Sequence, residues 1–258
     1  VSAARAVKNY RQGAQISETT LRTTALLAFP AGVGLFVLGE PIIRLLYPST
    51  ADLELAGWML SVLGIASISV CFMLVCNSVL QAYQMVTLPM VTTLVGSVLK
   101  LIVAYFLIGN EDIGIKGGAI STVACFWLIA LLDLFIIKRT LPRSLSLRRV
   151  FLKPAAAAAA MGLSAWAFHG LACKAMLALG VKLKLGLFVL LDELGEPVLD
   201  ELGAATLSRM GVALSVLIPI GIAVIVYFAL ILVTKAISKE DLALIPKGDK
   251  IARILRVE

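Results

Sequence analysis

Six long apolar runs constrain the fold of this chain more than any other feature of its sequence. The hydrocarbon core of a bilayer is about 30 Å thick, so a helix that crosses it needs about 20 apolar residues. Each run meets that length and is apolar on all sides, without the period-two alternation of membrane barrel strands. The sequence therefore predicts an all-α integral membrane fold with six transmembrane helices. The predicted spans are 21–43, 55–83, 88–108, 113–137, 150–171 and 211–233.

Composition agrees with a membrane protein and argues against a soluble one. Of the 258 residues, 60% are hydrophobic and 15% are charged, whereas soluble domains are nearer half apolar and a quarter charged. The mean hydropathy is +0.99. A formal charge of +7 would indicate a nucleic-acid partner only if Lys and Arg formed one solvated face. They fall instead in blocks between apolar runs, so we expect membrane lipid as a partner and no nucleic acid.

Basic residues are divided unevenly between the two sides of the predicted membrane. Of the 23 Lys and Arg residues, 16 fall on the side of the two termini and 6 on the opposite side, and Lys100 lies within the third span. Loops rich in Lys and Arg stay in the cytoplasm. We therefore expect both ends of the chain to be cytoplasmic, which agrees with an even number of spans.

The spacing of the runs predicts three segments. Residues 1–137 contain four spans, preceded by a polar stretch up to Thr20 that we expect to be a loop. Residues 138–236 contain a basic cytoplasmic loop and a final helix pair, joined by 172–210, whose acids among leucines predict an amphipathic segment on the outer surface. Residues 237–258 are predicted to form a cytoplasmic tail. Because the chain opens on Val1, we expect further sequence upstream.

Lys100 is the strongest candidate for a functional residue, because ionisable groups inside spans are expensive and by default functional. It lies about twelve residues into the third span, or ~18 Å from the inner surface at ~1.5 Å per residue. We expect it to face a central cavity and to attract an anionic group. The alternative is a structural lysine bonded to carbonyl groups of a neighbouring helix.

Polar residues and prolines in the spans give further candidates. Asn77 and Gln81 lie one turn apart near the inner end of the second span, where they either line the cytoplasmic mouth or bond helix to helix. Pro30 and Pro89 are candidates for hinges, or for static kinks, because proline removes a backbone hydrogen bond.

Other residues that attract attention have simpler explanations. We expect Asp133 to pair with Lys138 or Arg139 at the interface, and Glu40 to belong to a helix-ending turn. His169, the only histidine, receives no role. The four cysteines show no metal-site spacing, so neither a metal nor a cofactor is expected.

Several segments, taken in order, resemble a known family. These are "LLAFPAGVGLFVLGEPIIRLLY" (26–47), "VLQAYQMVTLPM" (79–90), "VLKLIVAYFLIGNEDIGIKGGAISTV" (98–123) and "ISKEDLALIPKGDKIARIL" (237–255). They are similar to the polysaccharide and lipid-linked oligosaccharide flippases. The tail looks most like the branch named for stage V sporulation protein B, which is related to lipid II flippases and to multidrug and toxin extrusion transporters.

The resemblance implies a fold and a function. Members have about fourteen helices in two lobes, and the six spans would be helices nine to fourteen, so the N-terminal lobe of the same protein is an expected partner. The implied activity is flipping of a lipid-linked oligosaccharide or cell-wall precursor, on an undecaprenyl-type carrier, across the bacterial plasma membrane by alternating access. No cavity arginine of the lipid II flippases can be carried over to this chain.

Two other functions remain open from the sequence. An ion-coupled multidrug exporter of the same superfamily would need buried carboxylates for cationic drugs, and Lys100 favours the flippase instead. A membrane-embedded glycosyltransferase or hydrolase would need an acidic pair, or a nucleophile with a base. The acids of 172–210 recur among leucines as a solvated face would. We therefore expect a transporter, not an enzyme.

Overall fold

Six helices make up the part of the chain that the computed structural model describes, which is residues 10–47, 52–140, 147–183 and 208–233. All six are long and apolar enough to cross a membrane, and no strand occurs in these ranges. The predicted all-α, six-helix fold of a multi-pass membrane protein is therefore confirmed. The helices are α1 (Tyr10–Leu46), α2 (Leu53–Ala82), α3 (Thr87–Ile108), α4 (Lys116–Thr140), α5 (Leu147–Leu183) and α6 (Arg209–Val233).

The prediction of a loop up to Thr20 was wrong, because α1 is already helical from Tyr10. The polar side chains that suggested a loop bond back into their own helix. The hydroxyl of Ser17 donates to the carbonyl of Gly13 at 2.9 Å, and that of Thr20 donates to Ile16 at 2.8 Å. Hydroxyl groups satisfied in this way can be buried within a helix. At ~1.5 Å per residue α1 is ~55 Å long, so it extends well beyond a bilayer core.

The other end of α1 also differs from the prediction. Glu40 was expected in a helix-ending turn, but α1 continues past Pro41 to Leu46. The backbone departs from helical geometry at Leu38 (φ −106°, ψ 15°), three residues before Pro41, since a proline crowds the preceding turn. The helix then resumes, and Glu40 forms an exposed ion pair of 3.0 Å with Arg44 one turn later.

Paired glycines hold α1 and α2 close together in antiparallel register. A Cβ atom on Gly32 would lie 2.7 Å from the carbonyl oxygen of Gly64, and one on Gly39 would lie 2.9 Å from that of Gly57. Neither position has room for a side chain. Small residues that allow close backbone approach are a usual basis of helix association in membranes, where the hydrophobic effect no longer drives it.

Helices α5 and α6 pack against each other and against α1. The rings of Phe29, Phe72 and Phe151 form an aromatic cluster that joins α1, α2 and α5, with centroids 4.7–6.3 Å apart.

The predicted end of the fifth span at Leu171 was too early, because α5 continues to Leu183. The residues after Leu171 are mostly good helix formers, so the helix extends beyond the predicted membrane span. The remainder of the predicted amphipathic segment (184–207) and the tail (237–258) lie outside the described residues.

Helix α3 is attached to the bundle mainly through α4 and hardly touches α2. Its α4 face is formed by Pro89, Thr92 and Gly96, which are buried at helical spacing. The rest of its surface is apolar and exposed, including Leu94, Leu101, Ile102, Tyr105 and Phe106. This separation of α3 from α2 leaves a groove between the two helices.

Candidate functional site

The groove between α2 and α3 has a volume of about 480 Å³. Three of the residues chosen from the sequence line it together, namely Asn77, Gln81 and Pro89. The structure adds four neighbours from α3 that sequence reasoning missed: Met90, Thr93, Leu94 and Ser97.

Helical spacing explains why these residues share one groove. Asn77 and Gln81 are four residues apart on α2, and Met90, Leu94 and Ser97 follow at intervals of four and three on α3, so each set lies on one helix face. The side-chain oxygen of Asn77 is buried and has no hydrogen-bond partner among the described residues. The groove thus presents amide and hydroxyl groups beside apolar side chains. This mixture suits a ligand with both polar and apolar parts.

Lys100 lies outside this groove, on the α4 face of α3. Thr92 pairs with Asp133, Gly96 lies against Ile129 one turn further along, and Lys100 follows at the level of Cys125. Lys100 is half-buried, and within the described ranges it makes no ion pair or hydrogen bond. Its role in binding an anion stays a prediction.

Asp133 differs from what was expected of it. It is 0% exposed and forms no ion pair with Lys138 or Arg139, both of which are exposed. Arg139 lies instead over the ring of Phe135 at 4.7 Å. The partner of Asp133 is Thr92 of α3, whose hydroxyl oxygen lies 2.6 Å from the Asp133 Oδ1 atom. The separation of 41 residues hid this contact from the sequence.

The two candidate prolines occupy different positions. Pro89 is the third residue of α3, and in the first turn a proline removes no helical hydrogen bond. Pro30 lies inside α1 and leaves the carbonyl of Leu26 without its helical donor. The hydroxyl of Tyr227 on α6 donates to that carbonyl at 2.6 Å. Whether either proline serves as a hinge stays a prediction.

His169, which received no role from the sequence, connects α5 to α6. Its Nδ1 atom lies 2.8 Å from the carbonyl oxygen of Ser215. A carbonyl oxygen only accepts, so in this contact Nδ1 carries the proton and donates. The histidine therefore fastens the last helix pair.

Comparison with known proteins identifies the family of this chain. Residues 1–189 match the model of the family described as lipid II flippase MurJ. The chain belongs to that family. The matched region contains α1 to α5, and therefore the groove, Lys100 and the Thr92–Asp133 pair, whereas α6 lies beyond it. No curated protein and no solved structure matches the chain. The predicted kinship with lipid-linked precursor flippases is thus confirmed, and members of this family are transporters.

Proposed function

We propose that this chain takes part in flipping an anionic lipid-linked cell-wall precursor across the bacterial plasma membrane by alternating access. The family match over residues 1–189 is the observation that carries this proposal. In the proposed protein, residues 1–137 form most of the C-terminal lobe and residues 138–236 supply the terminal helix pair. Both ends of the chain face the cytoplasm. The N-terminal lobe of the same protein closes the transport path from the other side.

The α2–α3 groove is the proposed contact for part of the substrate. The Asn77 and Gln81 amides and the Thr93 and Ser97 hydroxyls offer hydrogen bonds to sugar or phosphate oxygens. Met90 and Leu94 offer apolar contact to a lipid chain. A volume of about 480 Å³ lies within the usual range for a small-molecule site, so the groove accommodates a portion of a lipid-linked sugar.

The position of Lys100 on the neighbouring face of α3 is the second argument for an anionic substrate. It is the third residue after Ser97 of the groove, which is slightly less than one helical turn. A lysine at that depth has a strong preference for an anionic neighbour over lipid. A multidrug exporter for cations would need the opposite, a carboxylate open to the cavity. The buried acid of the described spans, Asp133, is closed off from the groove.

Reconstitution of the full-length protein tests the proposal. The measurement is flipping of a fluorescent lipid-linked sugar in liposomes. We expect transport by the wild type, and a large loss when Asn77→Ala and Gln81→Ala are combined, because two hydrogen-bonding groups leave the groove. Ser78→Ala is the matched control, since its hydroxyl is exposed and bonds to its own helix at Leu74. Absence of transport by well-folded wild-type protein would refute the proposed function, and full activity of the double variant would remove the groove from it.

A further inference from the structure

Asp133 is a fully buried acid in the middle of the α2–α3–α4 packing. Its side chain is 0% exposed, and its Oδ2 atom has no hydrogen-bond partner among the described residues. An ionised carboxylate in such a place is very costly unless it is paired with a cation. The contact that it does make is with an uncharged hydroxyl, that of Thr92.

Among the described residues, the surroundings of Asp133 offer no charged partner. Helix α4 packs against α2 and α3. The titratable group that α2 presents is the buried Cys76 thiol, which lies within electrostatic range of Asp133, and α3 presents Thr92. Lys100 lies about two turns away along α3, and Lys138 and Arg139 at the end of α4 are exposed.

The hydrogen atoms at Thr92 can be counted. The Thr92 Oγ1 atom lies 2.6 Å from Oδ1 of Asp133 and 3.1 Å from the carbonyl oxygen of Pro89. A hydroxyl has one hydrogen to donate, and neither a carbonyl nor a carboxylate has any. Each contact is a full two-centre hydrogen bond only if Asp133 carries a proton and donates it to Thr92, while Thr92 donates its own hydrogen to Pro89, because a single shared hydrogen would give two weaker bonds. The distance of 2.6 Å suits an O–H···O bond of either direction, and the complete burial of Asp133 favours the direction in which the acid is neutral and donates.

We propose that Asp133 is a proton-binding site that holds α3 against α4. With one proton taken from water, the chain Asp133–Thr92–Pro89 is complete and the buried carboxyl is neutral. When that proton is released to water, a buried charge appears and one of the two Thr92 hydrogen bonds is lost. The packed arrangement is then disfavoured relative to one in which water reaches Asp133.

Proton release at Asp133 acts on the groove because both depend on α3. Pro89 contributes to the hydrogen-bond chain and also lines the groove, and Thr93 in the groove directly follows Thr92. Movement of α3 away from α4 therefore changes the shape of the groove. This step rests on the proposed flippase function, and it makes the proton a coupling ion for that function.

Infrared spectroscopy of the full-length protein with ¹³C-labelled aspartate tests the site without any transport assay. We expect a carbonyl band of a protonated carboxylic acid at neutral pH, and its loss in Asp133→Asn. Asp112→Asn is the control, because Asp112 is exposed in the turn between α3 and α4, and there the band should persist. Thr92→Val should retain the band but shift it, because the acceptor of the Asp133 proton is removed. This second variant decides the matter even if Asp133→Asn does not fold. Absence of the band in wild type, or its survival unchanged in both variants, would overturn the proposal.

The coupling step has its own readout. In Asp133→Asn the amide imitates the neutral acid and cannot release a proton, so we expect the melting temperature to be retained while transport is lost at every pH tested. Transport by Asp133→Asn with the same rate and pH profile as wild type would refute coupling. Absence of transport by wild type would refute the proposed function. The infrared result on proton binding would remain valid, because it does not depend on transport.

Discussion

The hydroxyl of Tyr227 donates a hydrogen bond of 2.6 Å to the main-chain carbonyl of Leu26. Leu26 lies four residues before Pro30, which has no N–H to offer that carbonyl. Tyr227 is buried, so the bond replaces, from another helix, the donor that the proline removed. This contact makes an otherwise unsatisfied backbone group in a membrane helix acceptable, and it fixes α6 against α1.

Tyr227→Phe should lower stability by about 1 kcal/mol, because the Leu26 carbonyl loses its donor in a buried site. The loss should be smaller in a Pro30→Ala background, where the new N–H can bond to Leu26 within the helix. The measurement is a double-mutant cycle of melting in one detergent. Tyr105→Phe, on the exposed surface of α3, is the control and should change little. An equal cost of Tyr227→Phe in both backgrounds would contradict the link to Pro30.

Gly32→Ala should destabilise the α1–α2 packing by about 1–3 kcal/mol, the usual cost of overpacking. The added methyl group would collide with the Ile68 side chain and lie 2.7 Å from the carbonyl oxygen of Gly64, and a backbone atom cannot move aside locally. Gly34→Ala in the same helix is the matched control, because its nearest neighbour would be the Met161 Cε atom at 4.0 Å. That variant should be neutral or slightly stabilising, since alanine favours helix over glycine. Equal thermal stability of the two variants would argue against the role of the paired glycines in α1–α2 packing.

Hydropathy predicted the number and type of the helices because a bilayer imposes one length on every span. It could not predict where helices end outside that layer. At Ser17 and Thr20 the decisive bonds run from hydroxyl groups back to the same helix, and polarity alone does not distinguish such residues from loop residues. The same limit explains why hydropathy did not predict that α5 continues beyond Leu171.

Within the candidate groove, the arrangement of residues was predictable only where one helix supplies them. Asn77 and Gln81 share a face by spacing alone, whereas the opposite wall of their groove depends on how α3 lies against α4. The partner of Asp133 is 41 residues away and that of Tyr227 is 201 residues away. Such pairs depend on which helices become neighbours, and no local pattern in the sequence carries that information.

The predicted orientation can be checked by cysteine accessibility in cells. In a variant of the full-length protein without its native cysteines, we expect Asp112→Cys, in the exposed turn between α3 and α4, to react with a membrane-impermeant maleimide added outside. Ser144→Cys, in the basic segment, should react only after the membrane is opened. The reason is the excess of basic residues on the side of the termini. Reaction of Ser144→Cys in intact cells, with Asp112→Cys protected, would reverse the proposed topology.

Lys100→Met and Lys100→Arg distinguish a substrate-binding lysine from a structural one. A lysine at the centre of a span costs ~2.5–3.5 kcal/mol on insertion scales, and within the described ranges no hydrogen bond or ion pair offsets this. If the charge serves an anionic substrate, Met should abolish transport and leave melting nearly unchanged, and Arg should retain part of the activity. A structural lysine would instead give parallel losses of stability and transport in the Met variant.

The measurement for these two variants is flipping per folded molecule of the full-length protein, with melting followed in the same detergent. Lys116→Met is the matched control, because it also removes one positive charge, but at the start of α4, where Lys116 lies over the Trp58 ring at 5.6 Å. We expect that control to keep its transport rate. Full activity of a well-folded Lys100→Met protein would exclude Lys100 from the site. The preference for an anionic substrate would then depend on the family match and on the groove alone.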